Sequence, residues 1–498
     1  MEAILYSLYL WLFLFLISRF SFFKDDQVSI KLFRWSFVLK AAMGLLTYRF
    51  YFNTINNLPQ GDIFSFFRDG EILNAVFHSS PSSYIKLLLG IYKEHTEIDL
   101  TNLEKTTMWF QHFTTGYIND NRYFIRVNSV FSFFSMHSIH IHSLFVNFIS
   151  FLGLVAIYKS FKVHFVNKAK LSFFVLLLFP SVLFWGSCLL KESMVFFHLG
   201  FFIYFLKKFI ETKRLYYLFF TLVFLIAGLL CKPYVLICFL LPFIIYLFSI
   251  KTEFKLNLNR SIAACLLAVF LAFTFNLLFN NKPVEAIAKK QYDFINLSQG
   301  GIFLLNDTSL IRLEQDNRKY LSEHQEKKQV FLKNGAKIMY WKLDNFEDTL
   351  YSTLTDSIGS LQKVWDIQKA NSFFEPVRIK PNFFSLVNAL PSSLLNACFR
   401  PFLWEIHNVS SLISAIESGV LFLLFLLFLF RFREKNIDYR FFFLALLFTA
   451  FLFSIIGLTV PVLGAIVRYR APAYLFLSLL VLLVTDVDKI KRFIAKRK

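Results

Sequence analysis

Much of what organises a soluble fold is scarce in this chain. Its 498 residues include 5 Cys, 12 Pro and 16 Gly, and only 33 Asp and Glu against 53 Lys and Arg. The cysteines (Cys188, Cys231, Cys238, Cys265, Cys398) show neither metal nor disulfide spacing and mostly lie in or beside apolar runs, so they read as small core residues. No internal repeat or low-complexity tract is visible beyond a Phe and Leu bias. The shortage of carboxylates leaves a formal net charge of +20, which in a soluble protein would suggest nucleic acid.

Apolar residues are abundant: 56% of the chain is hydrophobic, with 68 Phe, and the mean hydropathy is +0.54. Apolar runs closed by charges recur at about 4–22, 35–51, 140–158, 171–187, 193–206, 215–230, 234–249, 261–279, 411–430, 441–456 and 471–485. They predict an all-α, polytopic transmembrane helix bundle of about eleven spans. The first run has no small-residue cleavage site after it and reads as an anchor. Short connections rich in Lys and Arg fall at every second position: Arg19 to Arg34, Lys159 to Lys170, Lys207 to Arg214, Lys251 to Arg260, Arg431 to Arg440, and the tail from Lys489. The positive-inside rule then puts the N-terminus outside, the C-terminus in the cytoplasm, and two long loops outside. The basic excess is accounted for by topology and lipid headgroups, and nucleic acid is rejected. Lys40, inside the second span, is expected to snorkel to the cytoplasmic edge.

The chain divides into two N-terminal spans (1–51), an acidic extracytoplasmic loop (52–139), a six-span core (140–279), a second extracytoplasmic loop or lid (280–410), and three C-terminal spans with a basic tail (411–498). In the acidic loop, Ile125 to Met136 reads as an interfacial helix. In the second loop, helix is expected over stretches such as Ser309–Met339, followed by Pro-punctuated segments at Pro376, Pro381, Pro391 and Pro401. A loop this long implies a small domain or a lid.

The most informative stretch is Gly61-Asp62-Ile63-Phe64-Ser65-Phe66-Phe67-Arg68-Asp69-Gly70, just beyond the second span. On a helix its two aspartates face one side, two turns apart. The topology puts other charges at the same exterior ends: Lys191-Glu192 after the fourth span, Lys232 between the sixth and seventh, Arg400 before the ninth, and Arg468 and Arg470 opening the last. Partly desolvated charges of both signs, drawn from distant segments, mark function. Glycosyl transfer from a lipid-linked phosphate needs such a set. A carboxylate takes the acceptor's proton or orients the acceptor, and cations stabilise the departing phosphate, which an arginine fork can grip through two oxygens.

At these residues the chain resembles the GT-C glycosyltransferases, multispanning membrane enzymes that use polyprenyl-phosphate sugar donors. The likeness lies in the acidic first exterior loop, the Phe179-Pro180-Ser181…Phe184-Trp185…Lys191-Glu192 stretch, and Arg468-Tyr469-Arg470-Ala471-Pro472. It departs from the family in placing the acidic loop after the second span, which an additional N-terminal span accounts for. The resemblance implies an inverting transferase of a bacterial inner membrane, with Asp62 or Asp69 catalytic and Lys191, Lys232, Arg468 and Arg470 holding the donor phosphate. Its partners would be a polyprenyl-phosphate-linked sugar, a glycan, lipid or protein acceptor, and membrane lipids. Glu192, Arg126 and Arg400 are secondary candidates.

Plainer readings stand beside these. Asp62 after Gly61 can cap a helix running to about Phe77. Arg468 and Arg470 can be interfacial anchors, and Lys191-Glu192 a local ion pair. His137 and His140 share a helical face with His142 nearby, but no third ligand has metal spacing, so no metal is assigned and no cofactor is indicated, although a divalent metal is compatible with the reaction. The competing functions are an O-antigen or exopolysaccharide polymerase, a transporter or flippase for lipid-linked glycans, and a non-enzymatic scaffold docking through 280–410. The transporter reading lacks the mid-membrane carboxylates and repeats usual for carriers; Glu417 sits near an exterior helix end.

Overall fold

The computed structural model describes residues 1–54, 61–91, 103–109, 120–251, 274, 278, 282–305, 309–313, 315–324, 329–342, 350–367, 369–406, 409–432 and 434–495. The expected span 261–279, Cys265, and most of the basic connection after Lys251 lie outside these residues, apart from residues 274 and 278.

Helices dominate, and their boundaries follow from local chemistry. In chain order they begin with α1 (Glu2–Arg19), α2 (Ile30–Thr54), α3 (Asp62–Ser79), α4 (Pro81–Leu89), α5 (Asp120–Ser135) and α6 (Ile139–Phe161). Gly61, at φ 97°, adopts a left-handed conformation that a side chain would resist and so lets α3 start at Asp62. Ser80 caps α4 ahead of Pro81 and Ser138 caps α6, each accepting a main-chain N–H.

The run expected at 171–187 is broken. It forms α7 (Ala169–Leu178) and α8 (Pro180–Trp185), because Pro180 lacks an N–H and forces Phe179 into an extended conformation. α9 (Lys191–Thr212), α10 (Leu215–Cys231) and α11 (Pro233–Lys251) follow. Lys191-Glu192 therefore opens α9 rather than closing the preceding span. Close approach of α6 and α9 depends on Gly153 and Gly200, since a Cβ on either would collide with the other helix's backbone.

The second loop departs most from expectation. After α12 (Lys282–Gln299) it forms strands β1 (Gly301–Leu305), β2 (Ser309–Leu313), β3 (Leu321–His324), β4 (Gln329–Leu332), β5 (Lys337–Lys342), β6 (Leu350–Thr353) and β7 (Ile358–Ile367). They build one antiparallel sheet in the order β3-β4-β7-β1-β2-β5-β6, with Leu304 opposite Ile311 and Ile311 opposite Tyr340. Ser309–Met339 is thus sheet and a short 3₁₀ turn, not helix, and the all-α class holds for the bundle but not for this insertion. The reason is the two-residue alternation of β2 and β5, whose Ile311, Leu313 and Ile338 enter a small core with Leu332 and Leu361.

The chain returns to the bundle in α13 (Phe383–Phe399), which carries Pro391 internally where a punctuated loop was expected. α14 (Val409–Phe430), α15 (Tyr439–Thr459), α16 (Leu463–Tyr469), α17 (Ala471–Val484) and α18 (Val487–Ala495) complete it. Gly457 of α15 lets the backbone of Ser393 in α13 approach closely.

Six described helices are long and apolar enough to cross a membrane (α1, α6, α9, α11, α14 and α15), and the bent pair α16–α17, at 56°, makes a seventh. The apolar helices α7, α10 and α13 are shorter. The chain is therefore read as a polytopic membrane protein, with fewer clear spans than the eleven expected. Lys40 of α2 does not snorkel. It is 1% exposed and donates to Gly186 O and, at 3.2 Å, to Ser187 Oγ, at the carbonyl end of α8. At the other end of α8, Glu417 of α14 accepts from the Ser181 main chain at 2.7 Å and from its hydroxyl. A short helix is thereby capped by a carboxylate at its N-terminus and an ammonium at its C-terminus, the signs its dipole favours.

Candidate functional site

The charges that the sequence scattered along the chain meet at one end of the bundle. Arg468, in the last turn of α16, donates from Nη1 to Asp62 Oδ2 at 2.5 Å and from Nε to Glu192 Oε1 at 2.7 Å. Lys232, between α10 and α11, donates to the same Glu192 oxygen. Beside this chain Lys191 donates to Asp120 Oδ2 at 2.7 Å and Asn121 Oδ1 at 2.9 Å. Aromatic faces line the cations: Lys232 Nζ lies 4.1 Å from the Tyr469 ring centroid and Lys191 Nζ 5.7 Å from that of Phe66.

Burial grades across the site. The Glu192 side chain is 1% exposed and that of Lys232 4%, whereas Asp120 is 24% and Asp62 40% exposed. The network is thus sealed at its base and open at its carboxylate rim. Burial pulls the Lys232 ammonium below its usual pKa range, against the opposing charge of Glu192. Glu192 Oε2 and the Tyr234 hydroxyl are buried without a hydrogen-bond partner among the described residues, so the base of the site retains unused polar capacity there.

The two aspartates of α3 part company. Asp69 is 0% exposed and accepts from Thr107 N at 3.0 Å and Met108 N at 2.7 Å, with the Thr107 hydroxyl at 3.2 Å. Its role is to pin the 103–109 segment over α3, and burial raises its pKa, opposed by those N–H donors. Only Asp62 joins the arginine.

Other candidates also fall away from the network. Arg470, two residues past Arg468, points to the other side of the bend. It donates to Ala397 O at 3.0 Å, Arg400 O at 2.6 Å, Ser414 Oγ at 2.9 Å and Ser418 Oγ at 2.8 Å. The Arg400 guanidinium stacks 3.9 Å from the Phe374 ring centroid, with Glu405 at 3.5 Å. Arg126 donates to Leu87 O at 2.8 Å, and its guanidinium and that of Arg122 lie 5.4 and 5.3 Å from the buried Trp109 ring centroid. These three organise loops and bends. The histidines divide similarly: His137 pairs with Glu71, His142 bonds Ser135 Oγ at 2.7 Å, and His140 packs against Tyr48. Among the described residues no group of three His, Cys, Asp or Glu could hold a metal ion.

Sequence reasoning did not single out Asp120 or the neighbours from α12. Phe294 of α12 has its ring 6.4 Å from that of Tyr469, and Lys290 is within electrostatic reach of Asp120 and Lys191. The chain leaving the sheet also runs beside α16, where Leu463 N donates to Ser372 O and Phe374 N to Pro461 O. The segment that carries α12 and the sheet therefore adjoins the site. Asp120 opens a helix that follows a polar stretch, and that first-turn position was the signal available for it.

Among the described residues, ion pairs from several basic connections gather at the opposite end. Lys162 bonds Asp25 at 2.8 Å and also Asp26, Lys168 bonds Glu434 at 2.7 Å, and His164 Nδ1 lies 2.7 Å from Asp438 Oδ2. Lys191 and Lys207 start and end the apolar part of α9, about 24 Å apart along its axis. Charged groups from distant segments thus meet at two separate ends of the bundle. No family model, curated protein or solved structure matches this chain.

Proposed function

We propose that this chain is an integral membrane glycosyltransferase that moves a sugar from a polyprenyl-phosphate-linked donor to an extracytoplasmic glycan, lipid or protein acceptor. In this reading the site faces the exterior of a bacterial inner membrane and the C-terminus is cytoplasmic. The observation that carries it is the Asp62–Arg468–Glu192–Lys232 chain, closed at its base and open at Asp62.

Arg468 holds the open carboxylate and is also the cation best shaped to grip a phosphate. An arriving donor phosphate competes with Asp62 for Arg468 and frees the carboxylate to take the acceptor's proton. Lys232 and Lys191 add point charges for the departing phosphate, while Glu192 keeps Arg468 and Lys232 in place. Asp62 is the base in this scheme. Asp69, whose oxygens are engaged by the 107–108 main chain, is a positioning residue.

The test is to profile lipid-linked sugars and glycans in cells whose only copy carries Asp62→Asn, Asp69→Asn or Arg468→Ala, with membrane levels checked. Asp62→Asn should accumulate donor and lose product at normal protein levels. An Asp62→Asn strain with unchanged glycans overturns the transferase reading. Loss of product in Arg468→Ala with Asp62→Asn fully active would instead favour the polymerase. A flippase draws on a different observation, the buried Lys40 and Glu417 at the ends of α8. It predicts that donor accumulates on the cytoplasmic leaflet.

A further inference from the structure

The bundle end far from Arg468 carries an open cavity of about 500 Å³ between the α1–α2 connection and the ends of α6 and α9. Five lysines and three carboxylates line it. The carboxylates are already matched: Lys162 bonds Asp25 and Asp26, and Lys208 bonds Glu211 at 3.1 Å. Two other ammonium groups are answered differently. Lys159 donates to Lys24 O at 2.9 Å and Lys207 to Ser160 O at 2.9 Å. A main-chain oxygen satisfies one N–H of an ammonium without bringing a formal charge, and Lys159 Nζ also lies 5.5 Å from the Phe22 ring centroid; among the described residues neither lysine is ion-paired with a carboxylate. The cavity wall therefore carries net positive charge, five lysines against three carboxylates.

The surroundings indicate what supplies the anion. Tyr204 lines the cavity, and the Phe22 ring stacks on Phe201 at 5.7 Å and meets Tyr204 edge-on at 5.5 Å. Phe20, two residues before Phe22, is 51% exposed, and Ile210, next to Glu211, is 40% exposed. An aromatic group beside exposed apolar side chains at the end of membrane helices is the setting of the headgroup level. Basic pockets between helices at that level bind anionic headgroups.

We propose that this cavity is a binding site for a phosphate group, supplied by an anionic phospholipid headgroup and gripped by Lys159 and Lys207. This does not rest on the glycosyl-transfer reading, because the site lies at the other end of the bundle.

The experiment uses the full chain in nanodiscs of phosphatidylcholine with phosphatidylglycerol added, read by native mass spectrometry. Wild type should retain phosphatidylglycerol in preference to phosphatidylcholine. The Lys159→Gln/Lys207→Gln variant should retain it about thirtyfold less, the effect of two charges beside an anionic headgroup. A Lys489→Gln/Lys491→Gln control, which removes equal charge from α18, should be unchanged. Equal retention of both lipids by wild type, or undiminished retention by the Lys159/Lys207 variant, overturns the proposal.

Should that variant fail to fold, amine labelling of wild type decides. Protection of Lys159 and Lys207 by phosphatidylglycerol but not by phosphatidylcholine supports a lipid source. Protection by inorganic phosphate alone keeps the phosphate site and overturns the lipid source. No protection by either overturns both.

Discussion

Arg468 and Arg470 are separated by one residue, and their surroundings could hardly differ more. Arg468 meets two carboxylates, one fully buried and one 40% exposed, so its charge connects to the outside of the bundle. Arg470 is 0% exposed and donates to two main-chain oxygens and two serine hydroxyls, with the Tyr474 ring 4.5 Å away. A cation closed in by neutral acceptors ties α13, α14 and α17 together. A cation that ends on an accessible carboxylate can exchange partners with a substrate. Burial alone does not separate architecture from chemistry; what the charge is paired with, and whether that partner can be reached, does.

The largest effect expected from this contrast is on folding. Arg470→Ala leaves several buried acceptors without donors, and at about 1–3 kcal/mol for each unsatisfied group the loss should total about 5 kcal/mol. Thermal unfolding of the purified protein should show little folded material, and near-wild-type stability would contradict the cage. Glu192→Gln comes next. Lys232 and Arg468 would keep their positions but lose the charge between them, at about 3 kcal/mol, together with product formation. If Glu192→Gln unfolds no earlier than wild type, the base of the network does not depend on that carboxylate.

The two aspartates sharpen the same comparison with smaller effects. Asp69→Asn removes one acceptor from the 107–108 main chain and should cost about 1–2 kcal/mol, with activity falling only as folded protein falls. Asp62→Asn disrupts a half-exposed pair, worth under about 1 kcal/mol, yet should abolish product. Measuring specific activity per folded molecule separates the two, and an Asp69→Asn protein that is stable but inactive would reverse the assignment.

What the sequence made legible follows from the range of each force. Long apolar runs needed no partner to be recognised, so α1, α6, α9, α11, α14 and α15 could be placed from composition. The break at Pro180 was written in the chain, but its consequence was not. Only the fold brings Lys40 and Glu417 from other helices to the ends of α8, which gives an interior to a lysine expected at the membrane edge. The sheet was obscured because polar strands of four to ten residues in a charged segment carry a weak alternation, easily taken for helix. At the site, the residue types and the shared bundle end were readable from topology. Which aspartate turns toward Arg468, and which arginine turns away, depended on the start of α3 at Gly61 and the bend after Tyr469. Both are tertiary facts.

Asp438 carries the comparison to the far end of the bundle, through pH rather than through activity. Asp438 caps α15 by accepting from Arg440 N at 3.0 Å, and His164 Nδ1 lies 2.7 Å from its other oxygen. Burial alone would raise its pKa, but the His164 bond and charge, aided by Arg440, outweigh burial and lower it from 3.8 to about 2. The folded state therefore holds this proton less tightly than the unfolded chain does. The resulting stability is present above pH 3.8 and is lost as pH falls through about 2. Unfolding temperatures of wild type and Asp438→Asn should differ by a constant amount near neutral pH and converge between those two values. Parallel profiles down to the lower limit would mean that Asp438 gains nothing from its partners. Because the partners of Asp438 among the described residues, His164 and Arg440, lie away from the Arg468 end, Asp438→Asn should leave glycan profiles unchanged at neutral pH, the opposite of Asp62→Asn.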